Sequence, residues 1–404
     1  MNLVLFDNEQ REALFPLTFT RPQAAIRSGI LTIKEKWEHY LRINGSYLTT
    51  AAIALKYPLA VTSDTFYIAG NLLPNGELVA AIQSLKFGEG ITKEGNLLAI
   101  RADEKACQKI QINDFSDWQL SDWKAPVVQI CYAHQLLPIN KKEIDSDFLL
   151  LTEGRRSQEI SETVTLVGEH KNPECRNRIF IEAGAEVEYA WLNPQEGPIY
   201  IGKNAIIQEG AMLRGPIALC ESAQINMGAK IYGGATIGPR TKVGGEMSNS
   251  IILGYSNKVH DGYLGDSVLG EWCNLGADTN TSNLKNDYAE VKLWDYTKGR
   301  FQKTGLQFCG LIMGDYSRCA INTAFNSGTV VGIGTNIFGS GFPRNFVPSF
   351  VIGGPQGYKS NASVIVKRTA KMAMQRRNVD FSQADDAIID EVFESTQKYR
   401  SSFR

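Results

Sequence analysis

Between positions 201 and 243 an aliphatic residue recurs every six places: Ile201, Ile207, Leu213, Leu219, Ile225, Ile231, Ile237 and Val243. A period of six fits neither the 3.6-residue turn of an α-helix nor the two-residue alternation of a half-buried strand. It fits a triangular coil that turns a corner every six residues and points each aliphatic side chain into a shared core. Lys203-Asn204 and Gly233-Gly234 fall where corners are needed, and Gly and Asn tolerate positive φ there. The pattern predicts a hexapeptide-repeat β-helix. Its rhythm begins at 181–187, is interrupted at 189–200 by a loop with two prolines, and loosens between 245 and 310, where Leu269 and Leu275 keep step. It is regular again at Met313, Cys319, Phe325, Val331 and Ile337. One continuous coil with excursions is predicted, the longest excursion at 280–305. After Gly353-Gly354 the coil ends, and Ile388, Ile389, Val392 and Phe393 predict terminal helices that close its apolar end.

Upstream the periods are shorter. Residues 2–6 (NLVLF) predict a buried strand, and Ile30, Ile33, Trp37 and Leu41, spaced among Lys34, Glu35, Lys36 and Glu38, predict an amphipathic helix. Further strands are expected at 59–61, 66–69 and 96–101, with a turn at 74–76 and a helix at 77–86. Short strands alternating with helices predict an α/β layer, with Trp118 and Trp123 packed on its sheet. Residues 141–162 are read as a helix or connector, 163–167 as a strand, and 170–178 as a polar bridge whose Lys171, Arg176 and Arg178 form a solvated face. The resulting division is 1–165, a connector at 166–178, the coil at 179–363 and a helical segment at 364–404.

Composition narrows the function classes. A chain of 404 residues exceeds one typical domain. With 42 basic and 43 acidic residues, a dominant nucleic-acid footprint is not expected. No apolar run reaches the roughly 20 residues of a membrane helix, and Asp7 and Glu9 interrupt the start where a signal peptide would be apolar. Seven cysteines without a CxxC pair predict reduced thiols and a cytoplasmic setting. Of the four histidines, His39, His134, His170 and His260, no closely spaced metal-binding set falls within the coil.

His260 lies in a polar constellation with Lys258, Asp261, Tyr263, Asp266 and Asn274, which can converge on one coil edge. A neutral imidazole there suits proton abstraction from an attacking amine, although spacing alone favours a structural or loop histidine. The hexads together with HDGYLGDSVLGEWCNLGADTNTSNL resemble the C-terminal part of bifunctional glucosamine-1-phosphate acetyltransferase and UDP-N-acetylglucosamine pyrophosphorylase enzymes. SNSIILGYSNKVHDGYLGDS is most similar to the archaeal and divergent bacterial branch. The resemblance implies an α/β nucleotidyltransferase-like domain followed by a left-handed parallel β-helix with C-terminal helices, assembled as a homotrimer. It implies His260 as the base that activates the sugar amine, Tyr263 as a contact of the sugar phosphate, and Asn274 and Asn283 near the acceptor sugar or acetyl donor. Acetyl-CoA is the implied co-substrate, with Lys298, Arg300 and Lys303 as candidates for its phosphates or, alternatively, an exposed charged loop. The basic cluster that often precedes the histidine region is replaced by GEMSN at 245–249, so the reaction class is better defined than the acceptor.

LFPLTFTRPQ at 14–23 resembles the LxPLTxTRPK segment of sugar-1-phosphate nucleotidyltransferases, in which a glycine-rich loop supplies backbone amides to phosphate. Here that loop reads DNEQREA, Ala13 stands at the loop arginine's place and Gln23 at that of the final lysine. Arg11, Arg21 and Arg27 are the remaining candidates for gripping UTP or dTTP, and Asp7 and Asp64 those for Mg²⁺, each also readable as a loop carboxylate. The implied protein is a transferase of nucleotide-sugar biosynthesis. Two alternatives remain open: a nucleotidyltransferase whose β-helix mainly assembles the oligomer, and a nonenzymatic nucleotide-sugar sensor.

Overall fold

The computed structural model describes residues 1–401. The hexad residues Ile201 to Val243 named above are all at most 2% exposed and line the inside of a left-handed parallel β-helix. Its three faces are sheets of nine, ten and six strands, parallel except for the last strand of the ten, beginning with Ile179–Ile181, Glu186–Val187 and Thr165–Leu166. Where the rhythm is regular, one turn takes eighteen residues, so Ile199 pairs with Ile217 and Ile217 with Ala235. The same corner recurs at Asn204, Ser222 and Arg240, each at φ 54. Asn accepts this left-handed conformation readily and Arg does not, so Arg240 is held there by its neighbours in the stack.

The loosening after 245 has a structural cause. Thr236 pairs with Ile251 and Ile251 with Val268, so these turns are shorter. Buried serines close the tightened corners: Ser250 Oγ accepts from Ser267 N at 3.0 Å, and Ser256 Oγ from Cys273 N at 2.9 Å. Val268 then pairs with Ile312 across the long excursion, which folds as the hairpin Lys292–Asp295 and Arg300–Lys303. The expected interruption at 189–200 is instead part of the coil, because Trp191–Asn193 and Ile199–Ile201 are strands and Leu192 fills the core. The coil also starts before 179, since Thr165–Leu166 already pairs with Trp191 and Leu192.

The N-terminal half is an α/β layer around a mixed six-stranded sheet. Asn2–Phe6 lies parallel to both Gly45–Leu48 and Thr65–Ala69, and Asn96–Ala102 runs antiparallel to the latter. The helix Ile33–Leu41 starts after Ile30 because Thr32 and Glu35 form a reciprocal capping box. No strand forms at 59–61, where Leu59 is exposed beside Pro58.

The halves share one hydrophobic core. Leu14, Leu17 and Phe19 belong to the same cluster as Ile251, Val268, Ile312 and Ile333 on the nine-stranded face. The helix Leu136–Thr152 bridges them: its Asn140 contacts Gly29 N at 2.7 Å and Gly234 O at 2.9 Å, and Asp147 takes Lys36 and the amides of Ile30 and Leu31. The C-terminal helices do not close the coil's end. That end is closed by the hairpin Val351–Gly354 and Gly357–Ser360, with Tyr358 buried in the coil core. The helix Ser363–Gln375 runs back along the ten-stranded face, so that Arg377 just beyond it donates to Asn257 Oδ1 at 2.7 Å. Gln383–Ser395 packs on the N-terminal half. Among the described residues, no helix is long and apolar enough to cross a membrane.

Candidate functional site

His260 stands at the corner between the ten-stranded and six-stranded faces, between the strands Asn257–Lys258 and Tyr263–Gly265. The corner is pinned from inside. Lys258 occupies an inward position in register with Val243, is 2% exposed, and donates its Nζ to Gly244 O at 3.1 Å and His260 O at 2.5 Å. Burial pulls its pKa down to about 8, against Asp261 and Asp278. Asn226 Nδ2 holds Val259 O at 2.9 Å. A Cβ on Gly262, at φ 110, would meet Thr279 O at 2.2 Å, so only glycine permits this approach. The His260 imidazole projects into solvent from this fixed backbone and has no hydrogen-bond partner among the described residues.

Beyond the corner, Tyr263 and Asp266, two of the residues expected to converge, meet through Asn283. Asn283 Nδ2 donates to Tyr263 Oη at 3.1 Å and to Asp266 Oδ2 at 2.6 Å, while Asn249 Nδ2 donates to Asp266 Oδ1 at 2.6 Å. Burial and the Asp266 charge push the Tyr263 phenol up, so it remains a neutral donor. Asn249 Oδ1 is buried without a partner beside this network. Asn274 does not join it. Its strand is in register with Asn257 on the ten-stranded face, before the corner rather than after it.

Asn274 instead lines a cleft of about 590 Å³ between that face and the helix Ser363–Gln375. Lys242, Arg318, Arg376 and Arg377 line it too, Tyr255 stacks on Trp272 at 4.4 Å, and Val259 brings its wall to the residue before His260. No Asp or Glu is among its lining residues. Burial lowers the pKa of Arg318, and burial together with Arg376 and Arg240 lowers that of Arg377. Cations brought together without carboxylates form a receptor for anionic oxygen.

Lys298, Arg300 and Lys303 lie elsewhere. Their hairpin packs over the nine-stranded face through Thr329–Val331 and against the N-terminal half, on the side of the triangular coil opposite the His260 corner. Lys298 and Lys303 face a cleft shared with Phe15 and His134, and Lys303 pairs with Glu290 at 3.4 Å.

The nucleotidyltransferase-like loop is closed on itself. Asp7 receives Gln23 N at 2.8 Å and Thr49 Oγ1 at 2.5 Å, and its Oδ2 lies 3.1 Å from Arg11 Nε as an ion pair. Burial raises its pKa against the pull of Arg11. Gln23, fully buried, exchanges hydrogen bonds with Asn8, whose Nδ2 donates to Asn71 Oδ1 at 2.9 Å. Arg11 Nη2 donates to Thr18 O at 2.7 Å. Arg21 is 2% exposed and grips Asp315 with both Nη atoms, with Glu271 at 3.2 Å, and Arg27 bonds Ile30 O and faces Glu35. The three arginines thus serve three different buried contacts and form no common anion site.

The two metal candidates do not share an ion. Asp7 follows the C-terminal end of its strand and Asp64 precedes the N-terminal end of the parallel Thr65–Ala69, so a whole strand length separates them. Asp64 is held by Arg101 through two bonds of 2.8 Å. No group of three or more His, Cys, Asp or Glu suited to a metal occurs among the described residues. The donors around Asp7 leave no Mg²⁺ site there.

Lys258 and Asp266 were named in the sequence-based constellation but given no role of their own. Lys258 carried a signal, since it interrupts an inward row of aliphatic residues. Asp266 was noted only as part of the constellation, and its bonds to Asn249 and Asn283 depend on residues seventeen positions away on either side.

Residues 3–156 match the family model described as sugar nucleotidyl transferase. The chain is 37% identical over 87 residues to a protein of Methanocaldococcus jannaschii called bifunctional protein GlmU, covering 22% of this chain and 21% of that one. It is 34% identical over 101 residues to a bifunctional sugar-1-phosphate nucleotidylyltransferase/acetyltransferase of Sulfurisphaera tokodaii, covering 24% and 25%. The chain thus spans about a quarter of the length of these curated relatives. A longer match, 26% identical over 183 residues, covers 45% of this chain and 74% of an uncharacterized acetyltransferase of Escherichia coli. Among solved structures, the UDP-N-acetylglucosamine acyltransferase LpxA of Bacteroides fragilis aligns over 57% of this chain and 96% of its own, with 15% identity and a TM-score of 0.30.

Proposed function

We propose that the coil transfers acetyl from acetyl-CoA to the amine of glucosamine-1-phosphate or a related amino-sugar phosphate, with His260 as general base. The observation that carries this reading is the meeting of an exposed imidazole on a pinned corner with an acid-free cationic cleft that reaches Val259. Phosphates of the donor bind Lys242, Arg318, Arg376 and Arg377, and its adenine lies against the Tyr255 and Trp272 pair. The thioester is thereby brought to the His260 corner. His260 takes a proton from the sugar amine as the nitrogen attacks the thioester carbonyl, and the coenzyme thiolate leaves. Tyr263, kept neutral and oriented by Asn283 and Asp266, donates to the acceptor's phosphate or hydroxyl. The similarity to the bifunctional sugar-1-phosphate nucleotidylyltransferase/acetyltransferase of Sulfurisphaera tokodaii supports this chemistry.

In this reading the N-terminal half binds and positions rather than transferring nucleotide, because Gln23, Asn8 and Asp7 satisfy one another where phosphate and metal would enter. Assembly as a homotrimer in the cytoplasm belongs to the same proposal. The six-stranded face, which neither the N-terminal half nor the C-terminal helices cover, presents Trp191, Met212 and Tyr232 to solvent, at 42%, 49% and 40% exposure.

The test is acetyl-CoA turnover with glucosamine-1-phosphate by the purified protein and by His260→Ala. A general base contributes about 10²–10⁴-fold, so the variant is expected to lose at least about a hundredfold in kcat while its circular dichroism is unchanged. No turnover by the parent protein with any of a panel of amino-sugar phosphates would overturn the proposal. Pyrophosphate release from UTP or dTTP with a sugar phosphate would move the chemistry to the N-terminal half.

A further inference from the structure

The helix Ser363–Gln375 turns one face to the molecule itself. Val366, Ala370 and Met374, at every fourth position, are buried in the shared core, and Lys367 beside them pairs with Asp386 and Asp390 of the next helix at 2.7 and 2.5 Å. The opposite arc of a surface helix is normally polar. Here it carries Val364 at 68% exposure, Ile365 at 44% and Met372 at 61%. The exposed cations Arg368 and Lys371 stand among them, and neither has an ion pair or hydrogen bond among the described residues. Lys359 is exposed on the strand Gly357–Ser360 that leads into the helix.

Charge around this arc is one-sided. Between Asp315 and Asp380 the chain has eight Lys and Arg and no Asp or Glu, although the whole chain balances 42 basic against 43 acidic residues. Cations alone would suit a nucleic acid, and apolar residues alone a protein groove. Interleaved on one convex helix face, they match a bilayer surface, where lipid phosphates meet the cations and apolar side chains enter between the headgroups. We infer that this arc docks the protein reversibly on an anionic lipid surface. Three apolar side chains do not hold a neutral bilayer, since even a whole myristoyl chain binds it only marginally. The anionic headgroups therefore decide the binding, each cation near them strengthening it roughly fivefold. The inference does not rest on acetyl transfer: Met372 and Arg376 line the cationic cleft, but Val364, Ile365, Arg368 and Lys371 do not.

Co-sedimentation of the full chain with vesicles of phosphatidylcholine and phosphatidylglycerol, beside vesicles of phosphatidylcholine alone, tests it. The mixed vesicles are expected to bind the protein saturably and to release it as salt is raised, and the neutral ones to leave it in solution. Arg368→Glu with Lys371→Glu is expected to weaken binding at least about tenfold. Val364→Ser with Ile365→Ser leaves the charge unchanged and is expected to weaken binding about threefold or more. All four side chains are exposed, so the thermal midpoint is expected to hold in both variants. Acetyl-CoA turnover measured without vesicles, if present in the parent, is expected to persist in both, which separates this surface from the cleft. Absence of binding to the mixed vesicles, equal binding to phosphatidylcholine alone, or charge-reversed protein that binds as the parent does would each overturn the inference. So would undiminished binding by the serine variant, which would show a polyanion site of the kind RNA occupies.

Discussion

Lys258 occupies a place where the coil elsewhere puts an aliphatic side chain, and it is buried without a carboxylate. Its two carbonyl acceptors belong to the corner that carries His260 and to Gly244 below it, so it exchanges core packing for a fixed corner. Lys258→Met fills the same volume and removes both bonds. The expected result is a protein at least as stable at neutral pH whose acetyl transfer falls, the loss appearing in kcat because the base is displaced while the donor cleft is intact. The pH dependence has a definite sign. The folded pKa, about 8, lies below the ordinary 10.5, so the unfolded chain holds the proton more tightly between these values. Stability of the parent therefore rises across that window and is lowest below pH 8. Urea midpoints at pH 8 and pH 10 are expected to show the parent gaining up to about 2–3 kcal/mol relative to Lys258→Met. A constant difference between the two proteins would show that Lys258 is charged throughout.

At the scale of elements, the helix Ser363–Gln375 matters more for where it lies than for its own sequence. Lying along the ten-stranded face, it brings Arg376 and Arg377 against Lys242 and Arg318 and makes one cationic wall from segments far apart in the chain. Steady-state kinetics are expected to show Arg377→Ala and Arg318→Ala each raising KM for acetyl-CoA about tenfold with kcat little changed. Lys298→Ala, on the far side of the coil, is expected to leave that KM alone, and the reverse pattern would return the donor's phosphates to the hairpin. The contrast shows what the sequence could tell. The hexad rows were legible because each inward position is set by its own residue, and so was the nearness of Tyr263 to Asp266, whereas Asn283, which joins them, comes from the far end of a coil and was not expected there. The basic wall was not legible, because it depends on the direction a C-terminal helix takes. The loosened stretch hid its coils because its turns are shorter than eighteen residues, Thr236 pairing with Ile251 and Ile251 with Val268, which breaks the six-residue spacing.

For the whole molecule, the most consequential contact is the buried junction of Arg21 with Asp315 and Glu271, reinforced by Thr20 Oγ1 on Asp315 at 2.7 Å and by Lys56 on Asp385 at 2.8 Å. It ties the loop that resembles a nucleotide-binding segment to the coil and to the C-terminal helix Gln383–Ser395. Because Leu14, Leu17, Ile312 and Ile333 share one core, the two halves are expected to unfold in one transition, with tryptophan fluorescence and far-ultraviolet circular dichroism coincident in urea. Removing one partner of a buried ion pair leaves the other charge unmet and typically costs about 3–5 kcal/mol. Arg21→Met is therefore expected to lower the urea midpoint by a corresponding amount and to expose the 14–23 loop to limited proteolysis. A nucleotide-gripping arginine behaves differently: its loss weakens UTP or dTTP binding and leaves the midpoint in place. Measuring both quantities on the one variant decides whether this arginine serves the junction or a nucleotide. The geometry favours the junction, since a guanidinium 2% exposed between two carboxylates has no face left for phosphate.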